Sequence, residues 1–342
     1  MKLKDVVREV RTTYKGDMTN VPIVGLDHII PCEITFEKYM IDSESTFSKV
    51  FQKGQVLFGR RRAYQHKAAI AHIDGICSGD IMVLEAIPGK IEPNLLPFII
   101  QNDSFFDYAI QHSEGGLSPR VKWSAIANYE FTLPSLSEQK VLADKLWAAY
   151  RVKESYKKLL AATDDMLKAK FQEMFGEEGE TARLGDYVDV KTGKLDSNAA
   201  NKGGLYPFFT CSSDTLQINT YAFDCEAVLL AGNGEFSVKY YEGKFNAYQR
   251  TYIIQSKDKN ILSVPYLYYW FTEYAKILKK QAIGGVIKYI KLNYITDAKF
   301  FCPPLPLQQQ FVEIATQAEA TKESLRKSIE NIDQVIKSLI NQ

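Results

Sequence analysis

The chain contains an internal repeat whose period is close to half of its 342 residues. The two copies share one order of elements: an aromatic-rich amphipathic helix, a Gly-Gly loop, a basic strand-like piece, a Pro-rich stop and a long helix. A period this long excludes a solenoid, whose repeats are roughly 20–50 residues long. It predicts one module that is present twice. Three landmarks recur after 168 to 170 residues: Pro97 with Pro265, Gly115-Gly116 with Gly284-Gly285, and Glu138-Gln139 with Gln308-Gln309.

Each copy ends in a long polar helix with an apolar stripe. The first helix is expected at about 137–175, with Ser135 or Ser137 as its N-cap and Gly176 ending it. Lys153 and Lys170 lie on its stripe and are expected to weaken it. The second is expected at about 307–341, with a nearly heptad pattern. Such helices span roughly 50–60 Å at 1.5 Å per residue, too long to be buried in one module. We therefore expect them to pack on each other.

The segments before the helices have the pattern of mixed α/β modules, with short strands between glycine-containing and charged turns. We place module 1 at 1–134, spacer helix 1 at 135–176, module 2 at 177–303 and spacer helix 2 at 304–342. An acidic linker at 177–180 follows the first helix. The predicted strands are VPIVGL, GQVLFG, HKAAIAHI and GDIMVLEAI in module 1, and YPFFT, EAVLLAG, FSVKYYEG and QRTYIIQS in module 2.

Composition excludes several classes of protein. A hydrophobic content of 46% is sufficient for real cores, which excludes a disordered chain. No apolar run approaches the 18 or so residues of a membrane helix, and the charged N-terminus does not resemble a signal peptide. The five cysteines are widely spaced without a CxxC, which is typical of reduced thiols in a cytoplasmic protein. No His/Cys spacing predicts a metal site.

The net charge of +1 by itself argues against a nucleic-acid binder. Local basic clusters argue the other way, because Arg and Lys neutralise phosphates, Arg or Gln can address base edges, and glycines allow close approach of backbone. The alternative is a solvated charged face, but the Gly-Gly/basic element occurs in both halves. The candidate DNA-binding residues are Arg60, Arg61, Arg62, Tyr64, His66, Lys67, Gly115, Gly116, Arg120 and Lys122 in the first half, and Lys194, Lys239, Lys244, Gln249, Arg250, Gly284, Gly285, Lys288, Tyr289 and Lys291 in the second.

Enzyme motifs are weak in this sequence. It has no P-loop and no GxSxG nucleophile motif. Asp224 with Glu242 and Lys244 fits the loose D…ExK pattern by which some nucleases hold Mg²⁺. The same ExK pattern occurs at 138–140, on a predicted long helix where no site would form, so the pattern has little specificity. A Mg²⁺-dependent nuclease and a non-catalytic coiled-coil adaptor stay as alternatives.

The alternation of an α/β module and a long helix, given twice, resembles the specificity subunit of Type I restriction-modification systems. The resemblance covers essentially the whole chain, and the combination of its pieces is specific. Two departures are visible: Gln308-Gln309-Gln310 stands where Glu-Gln is typical, and the first module starts almost at once without a preceding helix. The passages that carry the resemblance are FQKGQVLFGRRRAYQHKAAIAHIDGICSGDIMVLEA at 51–86, LPSLSEQKVLADKL at 133–146, LGDYVDVKTGK at 184–194, AYQRTYII at 247–254 and PLPLQQQFVEIA at 304–315.

The resemblance implies an α+β fold with two pseudo-two-fold-related α/β target recognition domains separated by a long antiparallel two-helix coiled coil. Each domain would read one half of a bipartite, asymmetric site in double-stranded DNA. The helices would set the gap between the half-sites and dock two methyltransferase subunits. Those partners would carry S-adenosylmethionine and the adenine N6 chemistry. The chain itself would hold no cofactor or metal and catalyse nothing; the presence of restriction/translocase subunits is left open.

Overall fold

The computed structural model of the protein describes residues 1–42, 44–176, 179–285 and 287–341. It divides into two compact units. The first consists of Met1–Lys158 with Leu325–Gln342, and the second of Leu159–Ser324. Each unit therefore contains one α/β module and a part of both long helices. The predicted limits of the recognition domains stay predictions, and Glu177 and Glu178 of the predicted acidic linker lie outside the described residues.

The first unit is built on small, mostly antiparallel sheets. A four-stranded sheet has the order β1-β7-β4-β5, a three-stranded sheet the order β2-β6-β3, and β8 pairs with β9. The strands are β1 (Val7–Val10), β2 (Ile23–Val24), β3 (Lys49–Phe51), β4 (Val56–Gly59), β5 (Ala68–Ile70), β6 (Gly75–Cys77), β7 (Ile81–Ala86), β8 (Ser113–Glu114) and β9 (Arg120–Val121), and the helices of this module are α1 (Leu96–Ile100), α2 (Asp103–Gln111) and α3 (Trp123–Ile126).

The second unit has one larger sheet. Its six strands have the order β11-β16-β14-β15-β12-β13, and β10 pairs with β17. The strands are β10 (Ala182–Arg183), β11 (Val188–Thr192), β12 (Tyr206–Phe209), β13 (Leu216–Ile218), β14 (Phe223–Ala231), β15 (Val238–Ala247), β16 (Thr251–Ser256) and β17 (Lys299–Phe300). In the sequence, this module is preceded by the long helix α4 (Leu136–Phe175) and followed by the long helix α7 (Leu305–Ile340). Its own helices are α5 (Val264–Gln281) and α6 (Asn293–Thr296).

The predicted elements are confirmed. Each of the eight strand segments contains a strand, because each combines an apolar run with flanking turn residues. Helix α4 begins as expected: the Ser135 amide and hydroxyl both donate to Glu138 Oε2, at 2.9 and 2.6 Å, which makes Ser135 the cap. Among the described residues, no helix is long and apolar enough to cross a membrane.

The two long helices pack antiparallel within each unit, as expected. In the first unit, Lys153 of α4 lies 2.7 Å from Asp333 of α7. In the second, Lys322 of α7 lies 2.7 Å from Asp164 of α4. Lys322 is 169 residues after Lys153, and Asp333 is 169 after Asp164, so each pair is the counterpart of the other. Both lysines are nearly buried. Lys153 thus forms an ion pair from a buried position, where the sequence alone suggested only a weakened apolar stripe.

A buried glutamine fixes the start of each long helix. Gln139 accepts from the Glu92 amide at 2.9 Å and donates to the Pro134 carbonyl at 2.9 Å. Gln308 accepts from the Ser263 amide at 2.9 Å and donates to the Pro303 carbonyl at 2.7 Å. The structural counterparts are therefore 169 residues apart, not 170 as the sequence alignment suggested. The run of three glutamines had obscured the register, and the first of the three performs the shared role.

Candidate nucleic-acid interface

The first basic cluster lies at the turn that follows β4. The backbone of Arg60–Arg62 pairs with the segment after Gly115-Gly116: the Val121 amide donates to the Arg60 carbonyl at 2.9 Å, and the Arg62 amide donates to the Pro119 carbonyl at 2.8 Å. Two predicted basic elements, 60 residues apart along the chain, are thereby brought together. We call this surface, formed by residues 60–62 and 115–122, the first basic turn.

Asp80 joins two arginines of the first basic turn. Its Oδ1 accepts from Arg120 Nε at 2.8 Å, and its Oδ2 accepts from Arg61 Nη1 at 3.2 Å. Arg61 Nε also donates to Ser118 Oγ at 2.9 Å. Burial acts to raise the pKa of Asp80, but the hydrogen bonds from Arg120 and Arg61 outweigh it and hold the pKa below its ordinary value. A guanidinium has five N–H donors, so both arginines retain donors for a ligand.

The second module repeats this construction. The Ile290 amide donates to the Gly232 carbonyl at 3.0 Å, and the Gly234 amide donates to the Lys288 carbonyl at 3.0 Å. The backbones of Asn233 and Tyr289 form an antiparallel bridge, as the backbones of Arg61 and Arg120 do in the first module. We call residues 232–234, 284–285 and 287–291 the second turn. Its Gly-Asn-Gly replaces the three arginines, so its cations come mainly from Lys288 and Lys291.

The first glycine of each Gly-Gly pair has a backbone that favours glycine. Gly115 has φ +111° and Gly284 has φ +120°, a region that side chains with a Cβ rarely adopt. A Cβ at Gly284 would also lie 2.5 Å from the Ile287 carbonyl oxygen. Gly116 and Gly285, by contrast, have open space at their Cβ positions. The pair therefore allows the chain to fold back onto the turn after β4 or β14.

Other candidate residues of the first module have different surroundings. Tyr64 is exposed beside the first basic turn. His66 stacks on Phe106 at 4.4 Å between ring centroids. Lys67 Nζ donates to the Leu26 carbonyl at 2.7 Å. Lys122 Nζ pairs with Glu114 at 2.6 Å across the hairpin of β8 and β9. The structure therefore gives His66 and Lys67 contacts within the fold.

The remaining candidates of the second module divide in the same way. Lys194, Gln249 and Arg250 are exposed, and the Gln249 amide donates to the carbonyl of Leu195, the neighbour of Lys194, at 2.9 Å. Lys239 Nζ donates to the Ser212 and Asp214 carbonyls at 3.0 and 3.1 Å, and burial lowers its pKa. A cation–π contact places Lys244 Nζ 4.9 Å from the centroid of the Tyr221 ring.

Sequence reasoning missed Asp80, Ser118 and Lys49. Asp80 and Ser118 orient the arginines, and Lys49 lines a cleft beside them. An acidic residue at the start of the predicted strand segment GDIMVLEAI was a signal for Asp80, but its partner Arg120 lies 40 residues further along the chain. Nothing in the local pattern marks Ser118 or Lys49 as special.

The residues of the alternative nuclease site lie on the hairpin of β14 and β15. Asp224 is directly opposite Lys244, and Glu242 is opposite Glu226. Glu226 pairs with Lys259 at 2.6 Å and accepts from the Tyr240 hydroxyl at 2.8 Å. Within the described ranges, no group of three or more His, Cys, Asp or Glu side chains is placed to hold a metal ion.

Two copies of one module, each folding a Gly-Gly loop onto the turn after a central strand, define a duplicated α/β protein with two long helices. Known proteins share this plan. The Type I restriction modification DNA specificity domain matches residues 17–162 and 176–334. The Type I restriction enzyme EcoDI specificity subunit of Escherichia coli is 42% identical over 158 residues, which are 46% of this chain and only 35% of that protein.

Solved structures show the same fold along the whole chain. The Type I restriction-modification S subunit from M. genitalium has a TM-score of 0.65 at 13% identity and covers 99% of this chain and 94% of its own. A chain from a study of complex assembly and conformational transition in the type I R-M system has a TM-score of 0.59 at 19% identity, covering 100% and 98%. The protein belongs to the Type I restriction-modification DNA specificity family.

Proposed function

We propose that this chain recognises a bipartite, asymmetric target in double-stranded DNA, with one half-site read by each module. The observation that supports this proposal most directly is that the first basic turn and the second turn have the same backbone pairing, each on its own module. The two turns differ in sequence, three arginines against Gly-Asn-Gly, so the two half-sites differ as well. Base readout requires access to the major groove, where the four base pairs present distinct donor and acceptor patterns.

The second part of the proposal concerns partners. The long helices dock two methyltransferase subunits, which bind S-adenosylmethionine and methylate adenine N6 after flipping the base out of the duplex. The chain itself catalyses nothing. It acts in the cytoplasm, where host DNA is available. A net charge of +1 supports a division of labour in which the partners supply much of the phosphate contact.

Co-expression with an adenine methyltransferase subunit from the same Type I restriction-modification system tests this function. The purified complex is expected to methylate adenine within one split motif, which modified-base sequencing of the host genome would report. Replacing Arg61 and Arg120 by alanine is expected to relax or abolish recognition of one half of the motif, while Lys288→Ala with Lys291→Ala affects the other half.

Two outcomes would contradict the proposal. The first is a complex that neither methylates nor preferentially binds any sequence. The second is an isolated chain that cleaves DNA with Mg²⁺ and loses this activity in Glu242→Ala, which would instead support the nuclease alternative.

A further inference from the structure

A cleft of about 630 Å³ opens in the first unit beside the first basic turn. It lies between the backbone after β1, the start of β3, the residue that follows β4 and the residues that follow β9. Its size is in the range of clefts that bind small molecules. The side chains of interest in its wall are Thr12, Thr13, Lys49, Arg60, Lys122 and Trp123.

Two of the cations in this cleft have no acidic partner among the described residues. Lys49 Nζ donates to the neutral Ile81 carbonyl at 2.5 Å. Arg60 Nε is buried and has no hydrogen-bond partner within the described part of the chain. By contrast, Arg11 at the edge of the cleft pairs with Glu9 at 2.7 Å. Leaving a desolvated cation unpaired is costly, so an anion in the cleft would be stabilised.

Electrostatics within the cleft agree with this description. Burial lowers the pKa of Lys49, and the positive charges of Arg60 and Arg11 lower it further. Cys77 and Glu9 act in the opposite direction without restoring the ordinary value. Loss of solvent around the ammonium group is therefore the main reason for the lowered pKa of Lys49, and a bound anion would offset this cost.

We propose that this cleft binds one phosphate group, held jointly by Arg60 and Lys49, with Lys122 contributing positive charge. A phosphate offers several acceptor oxygens, so a planar guanidinium and an ammonium group can donate to it together. The hydroxyls of Thr12 and Thr13 supply neutral donors at the same cleft. The inference rests on the proposed function where the phosphate belongs to a DNA backbone, and a free nucleotide would offer the same chemistry.

The second module does not have the key arginine of this cleft. The hydrogen bonds from Val121 to Arg60 and from Ile290 to Gly232 make Gly232 the structural counterpart of Arg60. Glycine has no side chain with which to hold a phosphate. The proposed phosphate site of Arg60 and Lys49, which we call the phosphate clamp, is therefore a property of the first half of the protein. The first half should anchor its half-site more firmly than the second half does.

The first test measures how salt weakens the binding of the full chain to a DNA duplex. Each neutralised phosphate contributes about 0.9 to the slope of log K against log salt concentration. Lys49→Met and Arg60→Gln are each expected to reduce the slope by about 0.9. The double variant should lose no more than either single one, because both side chains hold the same phosphate. Lys90→Met, an exposed lysine outside the cleft, is the control and should leave the slope unchanged.

The second test uses inorganic phosphate and adenosine monophosphate as probes, without DNA. At constant ionic strength, each is expected to raise the thermal midpoint of the wild-type chain relative to chloride and to raise it less in Lys49→Met. Lys49→Arg keeps the charge and should retain the response, which separates the clamp from general damage to the fold. A response to the nucleotide and to phosphate with an unchanged salt slope identifies a free ligand as the source. A reduced slope identifies the DNA backbone.

The outcomes separate this proposal from the function proposed above. If the complex reads its motif while the Lys49 and Arg60 variants keep both the wild-type slope and the wild-type phosphate response, the phosphate clamp is refuted and the DNA-recognition proposal stands. If no motif is read but the phosphate response depends on Lys49, the clamp stands and the DNA-recognition proposal fails. A double variant whose slope falls by about 1.8 would show two separate phosphate contacts and would also overturn the single-phosphate clamp.

Discussion

Within each unit an ion pair joins the two long helices, and the contribution of the pair in the first unit can be tested by a double-mutant cycle. The side chain of Lys153 is 9% exposed, with Asp333 Oδ1 at 2.7 Å and Glu33 Oε1 at 4.0 Å. Asp333→Asn keeps the shape but removes the charge, and Lys153→Met keeps the apolar stem. Measuring both single variants and the double variant isolates their coupling energy.

The expected coupling follows from the exposure of the two groups. The gross attraction at 2.7 Å is about 6 kcal/mol at an effective dielectric constant of roughly 20. Desolvation of the nearly buried ammonium group cancels most of it, since it costs several kcal/mol. Exposed pairs retain about 0.2–1 kcal/mol, and breaking buried pairs costs about 3–5 kcal/mol. Because the Asp333 side chain is 43% exposed, we expect a coupling of about 1–2 kcal/mol.

The second unit provides a matched comparison. Lys322 is equally buried and lies 2.7 Å from Asp164, but Glu319, one turn away on the same helix, also lies at 2.7 Å. Because Glu319 continues to compensate Lys322, Asp164→Asn is expected to destabilise its unit less than Asp333→Asn destabilises the first.

Hydrogen exchange read by mass spectrometry suits this experiment, because it reports opening free energies for each unit separately. A coupling below about 0.3 kcal/mol in the first unit would be within simple additivity and would refute the assigned role of the ion pair.

Three further predictions concern single positions. Gln308→Ala removes a fully buried side chain that satisfies three backbone groups, and we expect a loss of about 3 kcal/mol in urea unfolding, against less than about 0.5 for the exposed neighbour in Gln309→Ala. Gly284→Ala should cost about 1–3 kcal/mol in the same measurement because of its φ of +120°, whereas Gly285→Ala should be nearly neutral. Asp80 has a pKa below its ordinary 3.8, so its ionised form stabilises the fold fully above that value and the contribution is lost as pH falls through the lowered pKa. Thermal midpoints of Asp80→Asn should therefore lie below wild type at pH 7 and converge with it in strong acid; a constant difference across this range would contradict the argument.

The repeated elements were predictable because they depend on local patterns. Strand segments such as GQVLFG combine an apolar run with flanking glycines, and the Ser135/Glu138 cap is a contact three residues apart. The long helices follow from periodicity alone. The duplication itself supplied what a single copy could not, since the same order of elements appears twice and the structure pairs the same positions in both halves.

The contacts that organise the candidate site were not predictable in this way. Asp80 meets Arg120 across 40 residues, and Lys153 meets Asp333 across 180, distances over which no periodic signal operates. From the sequence, Lys153 was expected to weaken the apolar stripe of its helix. A single lysine within such a stripe gives no indication of the residue with which it pairs. Such pairings depend on how separate elements are packed, which the local sequence does not encode.

The first unit consists of two segments that are far apart in the chain, and this affects when it can fold during synthesis on the ribosome. The second unit is one continuous stretch, so all its residues emerge in sequence and it can fold while translation continues. The first unit needs Lys337 and Asn341, which pair with Asp103 and Asn102, and these are made after the whole of the second unit. The unit whose synthesis begins first is therefore completed last. Until then, the apolar surface against which Ile336, Leu339 and Ile340 pack is exposed and accessible to chaperones.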